Sequence, residues 1–358
     1  MKETQNKKRI LITVLNWGLG HATRCLPIIR RLESDGHQVI LASDGRALAL
    51  LQKECPDLLC LNLPGHNIYY PKKHFMWLMA WQLPKIAWTT IAEYFRVRKI
   101  VRIHQIDTVI SDNRFGCFAL GCENIFMTHQ LNVIIHYPIF QWLVRQLNQN
   151  WIRLFFNQYW IPDVAGVPNL SGLLAHGTRM PNPRYIGLLS RMQKLDAPKV
   201  YDWIAVLSGP EPQRTHLEKI IIEQAKNRPS QERALIIGGK SESTEEYTIR
   251  EGLTYYAFVS GAMLNRLICG SHVVICRSGY STLMDLAATG SRAILIPTPQ
   301  QSEQEYLAAH LFEQQLFYTQ SQADFELNTA LIDAPRFSGF GDQWLSAMTT
   351  TALFDKEA

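Results

Sequence analysis

Residues 273–306 constrain the fold more than any other stretch. Val273–Cys276 is a short apolar run of strand length, and Arg277-Ser278-Gly279 is a tight polar turn. Ser281–Thr289 has helical character, and Gly290 stands where a helix C′ glycine belongs. A second apolar run, Ala293–Ile296, follows after two residues, then a Pro-rich loop and Ser302-Glu303-Gln304-Glu305-Tyr306. Strand, turn, helix and strand in that order predict a parallel sheet covered by helices.

The same alternation runs through the rest of the chain. Lys8–Leu15 is predicted as a buried strand, Gly18–Gly20 as a turn and His21–Ser34 as a helix ended by Asp35-Gly36. His37–Ala42 is a second strand, and Ser43-Asp44-Gly45 turns into another helix; Leu58–Leu63 and Thr108–Ser111 are further strands. In the second half, Trp203–Leu207, Ala234–Ile237, Val273–Cys276 and Ala293–Ile296 are strands, and Thr215–Lys226 is a helix. With 358 residues, 47% of them hydrophobic, the chain exceeds what one core usually serves. Two domains are therefore expected: 1–160, a linker at 161–187, then 188–330, with a helical tail over 331–358.

Bulk chemistry narrows the classes. A net charge of +5 is too weak to argue for nucleic acid, and it suits anionic partners such as phosphates. Seven cysteines without a CxxC pair predict neither a disulfide framework nor a zinc site, so the cytoplasm is the expected compartment. The opening MKETQNKKR lacks the plan of a secretory signal, and no run of 18 uncharged apolar residues predicts a membrane span. Residues 66–104 stand apart, with Tyr69, Tyr70, Trp77, Trp81, Trp88 and Phe95 among Lys72, Lys73, Lys85, Arg98, Lys99 and Arg102. Such a stretch fits an anionic membrane surface, peripherally at the inner face, or a helix pair packing its aromatics inward.

Three constellations can carry chemistry. Gly18-Leu19-Gly20-His21 sits at the first strand tip, where glycines let a ligand or acceptor approach a helix N-terminus. His21 suits a general base, and Asp112, ending TVISD on the same sheet edge, can hold its tautomer. Asp112 can equally cap Asn113–Phe118. His129 also follows an apolar run, although a lone histidine of that kind is more often structural. Thr23 stands where a dinucleotide fingerprint needs glycine, although Asp44 lies near the distance of a ribose-binding acid. The second constellation is Ser208-Gly209-Pro210 before a helix, an anion site by geometry alone.

The third is the opening string. Backbone N–H groups around Arg277, Ser278, Gly279, Ser281 and Thr282 can bind a phosphate, and Asp285 can accept from a ribose diol. Gln304 and Glu305 can reach sugar hydroxyls, or cap a helix.

CRSG, the acid at 285, AATG, the Ile296-Pro297 pair and Gln304-x-Tyr306 resemble the C-terminal half of peptidoglycan UDP-N-acetylglucosaminyltransferases and of glycosyltransferase family 28. GLGHATRCLPIIRRLESDGHQVILASDG resembles the opening of that superfamily. The resemblance implies the GT-B fold, two Rossmann-like α/β domains with parallel sheets facing a cleft. It implies a glycosyltransferase that moves a sugar from a nucleotide diphosphate donor, a UDP-sugar, to an acceptor hydroxyl, inverting and without a bound metal or other cofactor. The acceptor it implies is a glycan or lipid-linked molecule. Carried onto this chain, Asp285 holds the donor ribose, Arg191 the pyrophosphate, Gln304 and Glu305 the sugar, and Val259 and Ser260 the uracil. His21 stands beside the acceptor. The chain departs from the pattern at Glu305, where the lipid II synthases have glutamine, at SGPEPQR, which replaces a glycine-rich loop, and at the N-terminal turn, which has fewer glycines. N-acetylglucosamine and a lipid-pyrophosphate acceptor therefore do not follow. An epimerase or hydrolase on the same fold, a non-catalytic sugar-nucleotide-binding protein and an NAD oxidoreductase are the alternatives.

Overall fold

The computed structural model describes residues 7–66, 75–134, 138–178, 180–240 and 242–346. Tyr69, Tyr70, Lys72 and Lys73 of the aromatic–basic stretch, and the end of the expected last helix, lie outside these residues. The chain forms two compact units, one from Met1–Val133, Tyr137–Val167 and Ala175–Leu189, the other from Ile134–His136, Pro168–Leu174 and Ser190–Ala358. The expected linker 161–187 is divided between them, with 168–174 alone counted in the second unit.

The first unit runs β1 (Arg9–Val14), α1 (Gly20–Ser34), β2 (Gln38–Ser43), α2 (Gly45–Glu54), β3 (Leu59–Asn62), α3 (Phe75–His104), β4 (Thr108–Asp112), β5 (Glu123–Met127), α4 (Pro138–Phe155), β6 (Gln158–Ile161) and β7 (Arg184–Tyr185). All seven strands pair in parallel in the order β3-β2-β1-β4-β5-β6-β7. Residues 10–14 of β1 and all of β4 are buried, as strands covered on both faces must be. One face packs Leu11, Ile40 and Val109 against Val97, Ile100 and Val101 of α3. Further along, Phe126, Tyr159 and Ile161 pack against Ile152 of α4 and Phe156 just beyond it.

A buried charge cluster pins α3 to the sheet. Arg114, fully buried just past β4, donates to Glu93 of α3 at 2.9 Å and to Asp44 at 2.7 Å. Removing one partner of such a pair strands the other's charge in the core, at a cost of roughly 3–5 kcal/mol. Asn16 bonds the second Asp44 oxygen at 3.0 Å. Asp44 is thus committed to the protein's own groups, which removes the residue that most favoured an NAD reading.

The stretch expected as an interfacial segment or a helix pair is, from Phe75, one helix. Trp81, Trp88 and Phe95 follow one another at seven-residue intervals, so they share a face, and all three are exposed. They are not packed inward. On α4, Trp142, Leu147 and Leu154 are exposed as well. No described helix is long and apolar enough to cross a membrane.

The second unit runs β8 (Tyr201–Val206), α5 (Gln213–Lys226), β9 (Ala234–Ile237), β10 (Glu246–Arg250), β11 (Leu253–Tyr256), α6 (Gly261–Cys269), β12 (Ser271–Cys276), α7 (Tyr280–Thr289), β13 (Ala293–Leu295), α8 (Ser302–Glu313), β14 (Tyr318–Thr319), α9 (Leu327–Asp333) and α10 (Asp342–Ser346). Its sheet order is β10-β11-β9-β8-β12-β13-β14, parallel except for the edge strand β10. Trp203, Ala205, Ile236 and Ile275 meet Leu217 and Ile221 of α5 and Leu327 and Ala330 of α9 in one core. The first part of the segment expected as tail, residues 331–333, completes α9. Gly290 ends α7 with φ 64, a left-handed conformation that strains other residues. Both sheets reverse strand order beside their first strand, at β1/β4 and at β8/β12, and ligands bind at the carboxyl ends there in folds of this type.

Candidate functional site

In the first unit the switch point gathers four side chains. β1 ends at Val14, and the chain turns through Gly18, whose φ is 76, into α1. His21 is the second residue of that helix. Asp112 is the last residue of β4, the strand next to β1, so the two meet across the edge: His21 Nδ1 lies 2.9 Å from Asp112 Oδ2. Asp112 caps no helix, because residues 113–118 turn, with Asn113 at φ 57. An ionised carboxylate only accepts, so the ring proton sits on Nδ1 and Nε2 carries the lone pair. Among the described residues, Nε2 makes no hydrogen bond.

Arg24, one turn after His21, was not singled out by the sequence. Its guanidinium is 1% exposed. Nε donates to Asp112 Oδ1 at 3.0 Å, Nη2 donates to the same oxygen, and Nη1 donates to His129 Nδ1 at 2.9 Å. Burial alone would raise the Asp112 carboxyl, but Arg24 and His21 outweigh it and hold it down to about 2. For His21, burial and the Arg24 charge lower the imidazole, and they outweigh Asp112, which raises it.

In the second unit the loops after β8, β12 and β13 are knitted together. Arg277 is 1% exposed, and its guanidinium donates to the carbonyls of Ile296, Pro297 and Gln213 and to Gln322 Oε1. All four acceptors are uncharged, and burial lowers the guanidinium to about 10. Ser278 Oγ donates to the Gln304 carbonyl at 2.7 Å, and Gln304 Oε1 accepts from the Thr298 amide at 2.9 Å. Glu305 accepts from the Gln300 amide. The side chains of Arg277, Ser278 and Glu305 thus shape the loops from within. Gly279 is the N-cap of α7 and offers backbone, with Thr282 Oγ1 and Gln304 Nε2 3.8 and 3.9 Å from where its Cβ would sit. Gly209, with φ 100, lies beside Thr298. Among the described residues the buried Thr298 hydroxyl has no partner, so this residue joins the candidates that the sequence did not offer.

Asp285 lies one turn into α7. Ser190 Oγ donates to its Oδ1 at 2.5 Å. Burial raises the carboxyl to about 6, against the Ser190 bond and the Arg191 charge, which lower it. The Arg191 guanidinium covers the start of α6, 3.0 Å from where a Cβ on Gly261 would stand. Ser260 caps that helix by accepting from the Met263 amide; Val259 lies just before it. Asp285, Ser190 and Arg191 thus form one polar group, with α6 beginning beside Arg191. Ser190 escaped the sequence reading, since a serine beside an arginine carries no pattern of its own.

The comparisons agree with this architecture. Residues 204–333 match the model of the glycosyltransferase family 28 C-terminal domain. No curated protein matches the sequence. The glycotransferase of kitacinnamycin is similar in structure, with 12% identity, a TM-score of 0.65 and coverage of 96% of this chain and 95% of that one. MurG of Acinetobacter baumannii has 11% identity, a TM-score of 0.58 and the same coverage. VinC, solved in complex with dTDP, has 13% identity, a TM-score of 0.63 and coverage of 95% of each chain. The chain has the GT-B fold of these glycosyltransferases. Its second unit carries the family 28 C-terminal domain.

Proposed function

We propose that the chain transfers a sugar from a UDP-sugar to an acceptor hydroxyl with inversion, and that His21 is the base. The His21–Asp112 bond carries this reading, because it leaves Nε2 as a lone pair at the ligand edge of a parallel sheet. The acceptor oxygen attacks the anomeric carbon as the bond to the diphosphate breaks, and its proton passes to Nε2. Gly18, Gly20 and His129 flank the acceptor. On the second unit, Asp285 holds the ribose diol, with Val259 and Ser260 toward the base. Arg191 and the backbone around Gly209, Gly279, Ser281 and Thr282 stabilise the charge that develops on the leaving diphosphate. Arg277 adds a fixed positive charge behind that loop. With this cationic set no resident metal is invoked. Gln304 Nε2 and Thr298 face the sugar.

A thermal-shift panel of UDP, GDP, dTDP and their sugars tests the donor. UDP and one UDP-sugar are expected to raise the melting temperature most, and no shift with any nucleotide would sink the proposal. His21→Ala should keep that shift and lose transfer.

The exposed Trp81, Trp88 and Phe95 beside Arg98, Lys99 and Arg102 support peripheral attachment to an anionic membrane and a lipid-linked acceptor or glycan there. Seven free thiols suit a cytoplasmic location. Co-sedimentation with vesicles containing phosphatidylglycerol, but not with phosphatidylcholine alone, is the expected result; equal recovery with both would remove the membrane.

A further inference from the structure

The His21–Asp112 pair does not stand alone, and its third member changes its chemistry. An aspartate bonded to a histidine ordinarily favours the protonated ring, since the charged pair is stabler than a neutral ring beside a carboxylate. A base in that state is already occupied. Here Asp112 spends one oxygen on His21 and the other on Arg24, which reaches it through two nitrogens. Asp112 is fully buried and Arg24 nearly so, so solvent screens this charge little.

We propose that Arg24 is a positioning residue, which by its paired donation to Asp112 and its charge beside His21 keeps the imidazole oriented and able to accept a proton. The inference rests on the reading of His21 as base. Among the described residues, the titratable groups around the His21–Asp112 pair are few. From α1 come Arg24 and Cys25, from β4 Asp112, and from the segment after β5 His129. Burial and Asp112 push the Cys25 thiol well above its ordinary range, so it stays protonated and brings no charge. His129 accepts the Arg24 donor on Nδ1, and it lowers His21 less than Arg24 does. Arg24 is therefore the fixed charge that offsets Asp112. It also ties together the ends of β4 and β5 and the first turn of α1, which fixes the direction in which Asp112 presents Oδ2.

A titration that needs no substrate tests this. The full chain is labelled with ¹³C at the imidazole Cε1 positions, and the His21 signal is assigned by its loss in His21→Gln. In the unmodified chain His21 should titrate below the usual value near 6.5. In Arg24→Gln the midpoint should rise by about one pH unit or more, because the Asp112 charge is then offset only by the ring itself. Arg24→Lys keeps the charge and should stay close to the unmodified midpoint. Once the substrates are identified, the acid limb of kcat/KM should move with the Arg24→Gln midpoint. An unchanged midpoint in Arg24→Gln overturns the proposal. So does a midpoint at or above 6.5 in the unmodified chain, a measurement that stands even where Arg24→Gln fails to fold. Transfer that survives in His21→Gln would instead remove the base assignment and leave the titration result intact.

Discussion

Asp112→Asn is expected to lower transfer by about 10³-fold, within the 10²–10⁴ range of general-base contributions. The amide can still contact His21 Nδ1, but it can donate to that nitrogen as readily as accept, and the ring then turns its proton outward on Nε2. His21→Ala should cost a similar factor, and the double variant little more, since the two act as a unit. Asp112→Asn also leaves the Arg24 guanidinium buried without its carboxylate. Denaturant unfolding should therefore show a loss of roughly 3–5 kcal/mol at neutral pH. The pH dependence follows from the sign of the Asp112 shift. Its folded value, about 2, lies below that of an unfolded aspartate. Its stabilisation is thus complete above about pH 4 and fades as the pH falls toward 2. The difference between the unmodified chain and Asp112→Asn should narrow over that window. Full transfer with normal stability in Asp112→Asn would refute both the dyad and the buried pair.

Asp285→Asn is expected to weaken UDP binding by at least about 10²-fold, because two hydrogen bonds to a charged acceptor are each worth roughly 1.5–3 kcal/mol. Isothermal titration across pH gives the sharper result. The free carboxyl is held at about 6 by burial, and a ribose diol needs it ionised to accept twice. UDP affinity should therefore be level above pH 7 and fall up to tenfold per pH unit below 6. Stability without nucleotide runs the other way. A folded value above the unfolded one means that the folded chain binds the proton more tightly, so the contribution of this group improves as the pH drops from about 6 to about 4. At pH 8 the unmodified chain bears the cost of a desolvated carboxylate, and Asp285→Asn should unfold later by about 1–3 kcal/mol. Binding lost while stability is gained is the signature of a group placed for a ligand. A UDP affinity flat between pH 5 and 8 would exclude Asp285 from the ribose.

Much of this site was legible because its residues stand at the ends of local patterns. His21 follows a glycine turn at the tip of a buried run, and Asp112 closes another, so their sheet edge follows from strand direction. The Ser278-Gly279 turn, the α7 helix and Asp285 are adjacent in the chain, and their relation is fixed by helix geometry. Arg24 was not legible. On α1 it looks like one more basic residue among Arg24, Arg30 and Arg31, and only the placement of β4 and β5 after β1 buries it. Arg277 is the converse case. Beside a phosphate-type turn it suggested a contact with the donor, yet its guanidinium points into the carbonyls of its own loops.

Sequence alone determined the alternation of strands and helices, the two glycine-marked turns and the histidine and aspartate that follow them, because each depends on a few neighbouring residues. The tertiary structure decided which charges are buried together. Asp44 with Arg114, Arg24 with Asp112 and Asp285 with Ser190 are each brought together from at least 70 residues apart. Ionisation of a buried group depends on all the charges within a few ångströms of it, and only the folded sheet order sets those distances.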